Sequence, residues 1–304
     1  MPYQLKIDRP LIEAVRKEGD KQLRKAAESI REGDDLEEAV HDLRKRMKKV
    51  RALLRLVRPG LEKTYQIENK ACRDVARPFS EIRDAQVLPT TIARLRDVFA
   101  ANDEARQLFK PLEAWGDAHR QEILDDADLK ERRQEAADTI EKIRERFHEI
   151  ELDCAPEKAL RKGVAKSYGR ARDGLSEAIV SSDAELLHDW RKRLKYHWYH
   201  MRLLRDIWPD AMDTRIAALD RLTDILGTDH DLVVLLERLR ADDPDGLTKE
   251  ARRGLEVLLA THSTSLRVEA FRLAPLLLVE KPRAHGRRMA GLWRVANAAS
   301  LVQK

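Results

Sequence analysis

The sequence predicts an all-α protein built as two helical bundles from an internal duplication, and three observations predict it. Charged residues make up 37% and apolar residues 42%, with only 12 glycines and 11 prolines in 304 residues. An average soluble domain carries about 25% charge, so high charge with few chain breaks points to long amphipathic helices. Apolar residues recur at helical spacing through most of the chain, and no stretch alternates like a strand. Finally, one basic segment is written twice. Ala39-Val40-His41-Asp42-Leu43-Arg44-Lys45-Arg46-Met47-Lys48 returns 147 positions later as Leu186-Leu187-His188-Asp189-Trp190-Arg191-Lys192-Arg193-Leu194-Lys195. The histidine, the aspartate and four cations keep their places.

In order along the chain, residues 8–32 read as a first helix, with Leu11, Ile12, Val15, Leu23 and Ala26 on one face and Gly33-Asp34 as the stop. Asp35 followed by Glu38 resembles a capping box opening the basic helix. Pro59-Gly60 closes it near Arg58. Helices follow over 61–76, 79–95, 104–126 and 129–152, with Pro89 marking a kink or break in the second of these. Asp153-Cys154-Ala155-Pro156 is the expected boundary, giving repeats 1–153 and 154–304.

The second repeat opens with a helix over 157–180. Ser182 and Glu185 stand where Asp35 and Glu38 stood, so the capping box is expected to recur. The second basic helix runs to Trp208 and stops at Pro209. Helices over 211–226 and 229–241 are expected with a break at Gly227-Thr228, then an acidic loop at 242–246 and helices over 247–271 and 284–299. The repeat extends beyond the basic helix: Arg83-Asp84 matches His230-Asp231, Val87-Leu88 matches Val234-Leu235, and Arg120 matches Arg267. So long a period means two copies of a bundle rather than a solenoid. Short connections favour an up-and-down bundle in each half.

Several classes are set aside by composition. Met1 to Asp8 lacks a signal-peptide pattern, and no apolar run approaches the roughly 20 residues of a membrane span; Leu273 to Val279 is the longest. The cytoplasm is the expected location, with no membrane partner. Cys72 and Cys154 suggest neither a disulfide framework nor a zinc site. The net charge is only +5, so what matters is where the cations concentrate.

They concentrate on the two basic helices. At 100° per residue, His41, Arg44, Lys48, Arg51 and Arg55 fall within an arc of about 80° and span roughly 21 Å. His188, Arg191, Lys195 and Arg202 repeat the arc, with Trp198 in the place of Arg51. Cations spread this far suit a linear polyanion better than one phosphate. Few acids share the stripe, so i,i+4 pairing within the helix cannot neutralise it. The histidines are conditional cations whose pKa would rise beside a polyanion. Asp42 and Asp189 orient neighbouring bases.

The bland alternative is a solvated helix face. A sharper one is a di-iron bundle, because Glu38-x-x-His41 and Glu185-x-x-His188 fit its Glu-x-x-His motif. The cations on the same face oppose a metal, and capping accounts for both glutamates. Asp125, Asp126 and Asp128, like Asp242, Asp243 and Asp245, read as loop acids, and no phosphate-binding loop, nucleophile elbow or H-E-x-x-H motif is present. No catalytic residue, metal or cofactor is assigned. Nucleic-acid binding by the same groove is the runner-up, although Trp190, Tyr196, Trp198 and Tyr199, the residues that could stack bases, belong to one copy and read mainly as core.

Val40-His41-Asp42-Leu43-Arg44 with Lys48-Lys49-x-Arg51, its echo from Leu187-His188, and the Arg83-Asp84 and His230-Asp231 segments resemble the CHAD family, the conserved histidine α-helical domain. The resemblance covers nearly the whole chain. It implies two bundles related by pseudo-twofold symmetry around a basic central channel, binding of inorganic polyphosphate, and association with polyphosphate granules. Carried over residue by residue, it implicates His41, Arg44, Lys48, Arg51, Arg55, His188, Arg191, Lys195 and Arg202. Arg83, Arg120, His230 and Arg267 rest mainly on the repeat. Tyr196 and Trp198 stand where the first copy has Lys49 and Arg51, so the second half is expected to contribute less charge. Many relatives carry a fused triphosphatase-type domain with an E-x-E-x-K motif. That motif is absent, which favours a binding module over a phosphohydrolase.

Overall fold

The structure is a computed structural model that describes residues 3–100, 103–124, 129–181, 183–242, 244 and 247–302. Among them there is helix and no strand. The helices are α1 (Leu11–Glu32), α2 (Leu36–Val57), α3 (Glu62–Asp74), α4 (Ser80–Val98), α5 (Asp103–Leu124), α6 (Leu129–His148), α7 (Pro156–Ser181), α8 (Ala184–Leu203), α9 (Pro209–Asp242), α10 (Lys249–Leu277) and α11 (Pro282–Val302). None of them is long and apolar enough to cross a membrane.

Local chemistry sets the ends of the two basic helices. The Asp35 carboxylate accepts from the Glu38 backbone N–H at 3.1 Å and opens α2. Pro59 closes it through a short 3-10 turn, Arg58–Gly60. At the start of α8 the cap is Asp183, whose carboxylate accepts from Glu185 N–H at 2.9 Å and Leu186 N–H at 3.1 Å. The expected capping residue, Ser182, lies outside the described residues, as do Asp125, Asp126, Asp128, Asp243 and Asp245. α8 ends at Leu203, earlier than expected, and Pro209 becomes the first residue of α9, where its missing N–H leaves no bond unmade.

Two further expectations are corrected. Helix α4 runs unbroken through Pro89. Helix α9 runs unbroken through Gly227-Thr228 as a single 34-residue element. Gly227 has a packing role instead: a Cβ there would lie 2.9 Å from the Arg191 guanidinium, so the glycine makes room for that cation.

The core explains the placement of the basic helices. The larger apolar cluster joins α1, α2, α3 and α6 to α7, α8, α11 and the first half of α9, around Leu23, Leu43, Leu53, Phe147, Trp190 and Leu194. A smaller one joins α4 and α5 to α9 and α10 through Leu88, Ile92, Phe109, Leu235 and Leu255. Both cores draw on both halves, so neither half is a self-contained up-and-down bundle. The pairings nonetheless recur: α1 packs on α2 and α6 as α7 packs on α8 and α11, and α4 pairs with α5 as α9 pairs with α10.

Across the halves, α2 packs on α7 and α8, and α4 on α9. The α2–α7 approach is tight at Gly163, where a Cβ would sit 1.8 Å from the Leu56 carbonyl oxygen. Behind α2 lies a buried imidazole cluster. His197, His200 and His285 are fully buried. Tyr168 stacks on His285 at 4.2 Å and meets His197 edge-on at 5.1 Å. His200 Nε2–H donates to the Ala52 carbonyl at 3.1 Å, tying α8 to the back of the first basic helix.

Candidate anion-binding site

On each basic helix the apolar stripe points inward and fixes where the cations must go. Val40, Leu43, Met47, Val50 and Leu54 bury one face of α2, and Leu187, Trp190 and Leu194 one face of α8. Their polar faces meet at Lys48. This side chain reaches solvent, yet it is walled in by protein. Burial, followed by the charges of Arg44, Arg83, Arg191 and Lys195, pulls its pKa down to about 8. Cations from α2, α4 and α8 therefore converge on one point.

Arg83 is paired with the Asp84 carboxylate at 2.6 Å, whereas Arg44, Arg51 and Arg55 of α2 are held by neutral groups. Arg44 donates to the Ala76 carbonyl at 3.2 Å and Ser80 Oγ at 3.3 Å, and Arg51 to Asn69 Oδ1 at 3.1 Å. Arg55 lies 4.1 Å over the Tyr196 ring. Among the described residues, the buried Nε atoms of Arg44, Arg55 and Arg191 have no hydrogen-bond partner. Burial lowers the pKa of Arg44, as does neighbouring Arg83. Buried donors without acceptors are costly to leave unpaired.

The histidines stand at one end. His188 stacks on His230 at 3.9 Å between centroids. Burial, then His230 and the cations Lys192 and Arg191, lower the His188 pKa to about 4. Burial and then Arg191 also lower that of His230. His41 is lowered by burial, Lys45 and Lys48. In all three the neutral imidazole is favoured over its ordinary balance.

The α8 wall is weaker than the α2 wall, and α9 is the cause. Lys195 pairs with Asp224 at 3.7 Å, and Asp231 and Asp224 partly offset Arg191. Asp231 also lies 3.6 Å from Arg94. Trp198, in the place of Arg51, contributes no charge but lies under both Lys195, at 4.3 Å, and Arg202, at 4.6 Å.

Not every predicted residue joins the cluster. Arg120 forks onto Glu37, its Nε at 2.8 Å, and its charge is neutralised there. Arg267 is held by the buried Asp229 at 3.0 Å. Asp42 binds Arg46 and Lys45, and Asp189 binds Lys192, the orienting roles expected of them. Among the described residues no three histidines, cysteines or acids gather as a metal site. Cys72 and Cys154 are free thiols.

Sequence reasoning missed several cations. Lys49 is brought down to about 8 by burial and by Arg202. Arg58 lies 4.3 Å over Tyr65; it stands seven residues after Arg51 and continues the stripe, a signal available in the sequence. Lys166 and Arg170, on α7, meet this end of α2 through tertiary packing alone.

Fold and site together define an all-α helical protein in which α2, α4 and α8 bring a cluster of cations together around Lys48. The CHAD domain model matches residues 17–240, and the chain belongs to that family. It is similar in fold to the crystal structure of the CHAD domain from the plant Ricinus communis, at 18% identity and a TM-score of 0.58, over 90% of this chain and 94% of that one. No curated protein matches the chain.

Proposed function

We propose that this protein is a binding module, not an enzyme, that holds inorganic polyphosphate in the groove between α2 and α8. The observation that supports this best is the convergence on Lys48 of Arg44, Arg83, Arg191 and Lys195. A single phosphate cannot satisfy cations spread along two turns or more of two helices, whereas a linear chain of phosphates can. Arginine supplies forked contacts and lysine point charges. Nothing in this chemistry requires a cofactor. We read residues 1–153 and 154–304 as two copies of one unit, supported by the recurring helix pairings, and place the protein in the cytoplasm on polyphosphate granules.

The test is competition at fixed moderate salt. Labelled long-chain polyphosphate is displaced with unlabelled polyphosphate, single-stranded RNA or single-stranded DNA at equal charge. Preference for polyphosphate by orders of magnitude supports the reading. Equal competition by nucleic acid would make the groove a general polyanion surface and move the function to nucleic-acid partners. A folded His41→Ala, Arg44→Ala, Lys48→Ala variant with intact affinity would remove the site. A fluorescent fusion that ignores granules in polyphosphate-rich cells would refute the location.

A further inference from the structure

The groove does not end at Arg55. One more cation, Arg58, follows directly after α2 at its C-cap, spaced from Arg44 and Arg51 at intervals of seven residues. Over that distance the helix advances roughly 21 Å. Arg58 stacks 4.3 Å over Tyr65, and the same ring lies 5.9 Å from Arg55, so one buried aromatic supports both guanidiniums.

Helix α7 adds two more. Gly163 lets α7 touch the α2 backbone at Leu56. Lys166 and Arg170 follow one and two turns later on α7, next to the Arg55–Arg58 end. The charges acting on Lys166 are Arg58, Arg170 and Arg55, all cations, and with burial they lower its pKa. Among the described residues none of Arg58, Lys166 and Arg170 has an ion-pair partner. What joins these four cations is that they gather where α7 crosses the end of α2.

We propose that Arg58, Lys166 and Arg170 form a second phosphate-binding segment that holds a polyphosphate chain where it leaves the central groove past Arg55. The inference rests on the polyphosphate reading and adds a length requirement to it. A short chain fills the Lys48 centre, and only a long one also reaches α7. The feature belongs to one end of the groove alone, because Gly19 and Leu23 occupy the positions of α1 that correspond to Lys166 and Arg170 in the repeat.

The experiment measures Kd for tripolyphosphate and for a long polyphosphate across a salt series. It compares the wild-type chain, a Lys166→Gln, Arg170→Gln double variant, and a triple variant that adds Arg58→Gln. A Lys110→Gln, Lys130→Gln, Lys249→Gln chain is the control of equal charge change. The double variant keeps Arg58 stacked on Tyr65 and guards against misfolding. The expected result is a loss of long-chain affinity of about tenfold or more in the triple variant, with the log–log salt slope falling by about two. Tripolyphosphate affinity should stay within about twofold. Equal losses for both ligands, or a long-chain loss no greater than in the control, would overturn the second segment while leaving the groove intact. Failure of the wild-type chain to bind either ligand would overturn the groove and the segment with it.

Discussion

Lys48 gives the groove a measurable pH response. With a pKa of about 8, about half of the unliganded molecules carry a neutral Lys48 at pH 8. A bound polyanion supplies the missing counter-charge and returns the ammonium toward its ordinary pKa of about 10.4. The free-state pKa is the lower of the two, so binding takes up a proton and affinity falls as pH rises through 8. Between about pH 7.5 and 9.5 the protonated fraction of a group with this pKa drops roughly 25-fold. Lys48 reaches solvent, and screening reduces the effect on Kd to on the order of tenfold. Lys49, also brought to about 8, adds to the slope. Isothermal titration of a long polyphosphate, whose few end groups titrate near pH 6, would follow Kd, and buffers of different ionisation enthalpy would count the protons. A Lys48→Arg, Lys49→Arg variant keeps its charge throughout and should show a flat profile. A wild-type Kd that does not change with pH, or an unchanged slope in the double arginine variant, would refute the reasoning.

Three other outcomes are expected. Replacing Arg44 and Arg191 with glutamine should lower the salt slope of polyphosphate binding by about 1.4, about 0.7 for each phosphate no longer neutralised; an unchanged slope would place both arginines away from the bound chain. Gly163→Ala should cost about 1–3 kcal/mol in denaturant unfolding, because the new methyl group meets the Leu56 carbonyl and the helices must part; a neutral effect would deny the close approach. Burial holds His200 at about 3, His285 at about 4 and His197 well below the ordinary range. Their folded pKa values lie below the unfolded value of about 6.5, so the unfolded chain binds more protons. The stability they allow is complete above that pH and falls as pH drops toward 4, by up to about 1.4 kcal/mol per pH unit for each histidine. Melting midpoints at about pH 7.5 and pH 5 check this, and equal midpoints would contradict it.

The parts legible in the sequence were those set by local chemistry. Asp35 before Glu38 marked the start of α2, and helical spacing placed His41, Arg44 and Lys48 on one face. The errors arose where a distant partner decides. Gly227 reads as a break, yet it lies within the continuous helix α9, and its missing side chain leaves space for the Arg191 guanidinium. Arg120 and Arg267 look like free cations until Glu37 and Asp229 arrive from elsewhere in the chain. The reduced charge of the second wall was visible in Trp198 and Tyr196, but the acids of α9 that reduce it further were not. Lys166 and Arg170 carry no periodic signal linking them to α2; only the helix crossing at Gly163 does.

The indole of Trp198 lies against the two cations that an anion would draw upon. Lys195 and Arg202 bear on its ring from 4.3 and 4.6 Å, and the field of nearby charges sets the emission energy of an indole. An anion that pulls either cation off the ring alters that field at once. The chain thus carries an optical gauge of groove occupancy, and Trp198→Phe identifies its signal among the 5 tryptophans. Filling of the groove becomes observable in unlabelled protein, on the timescale of a stopped-flow mixing experiment.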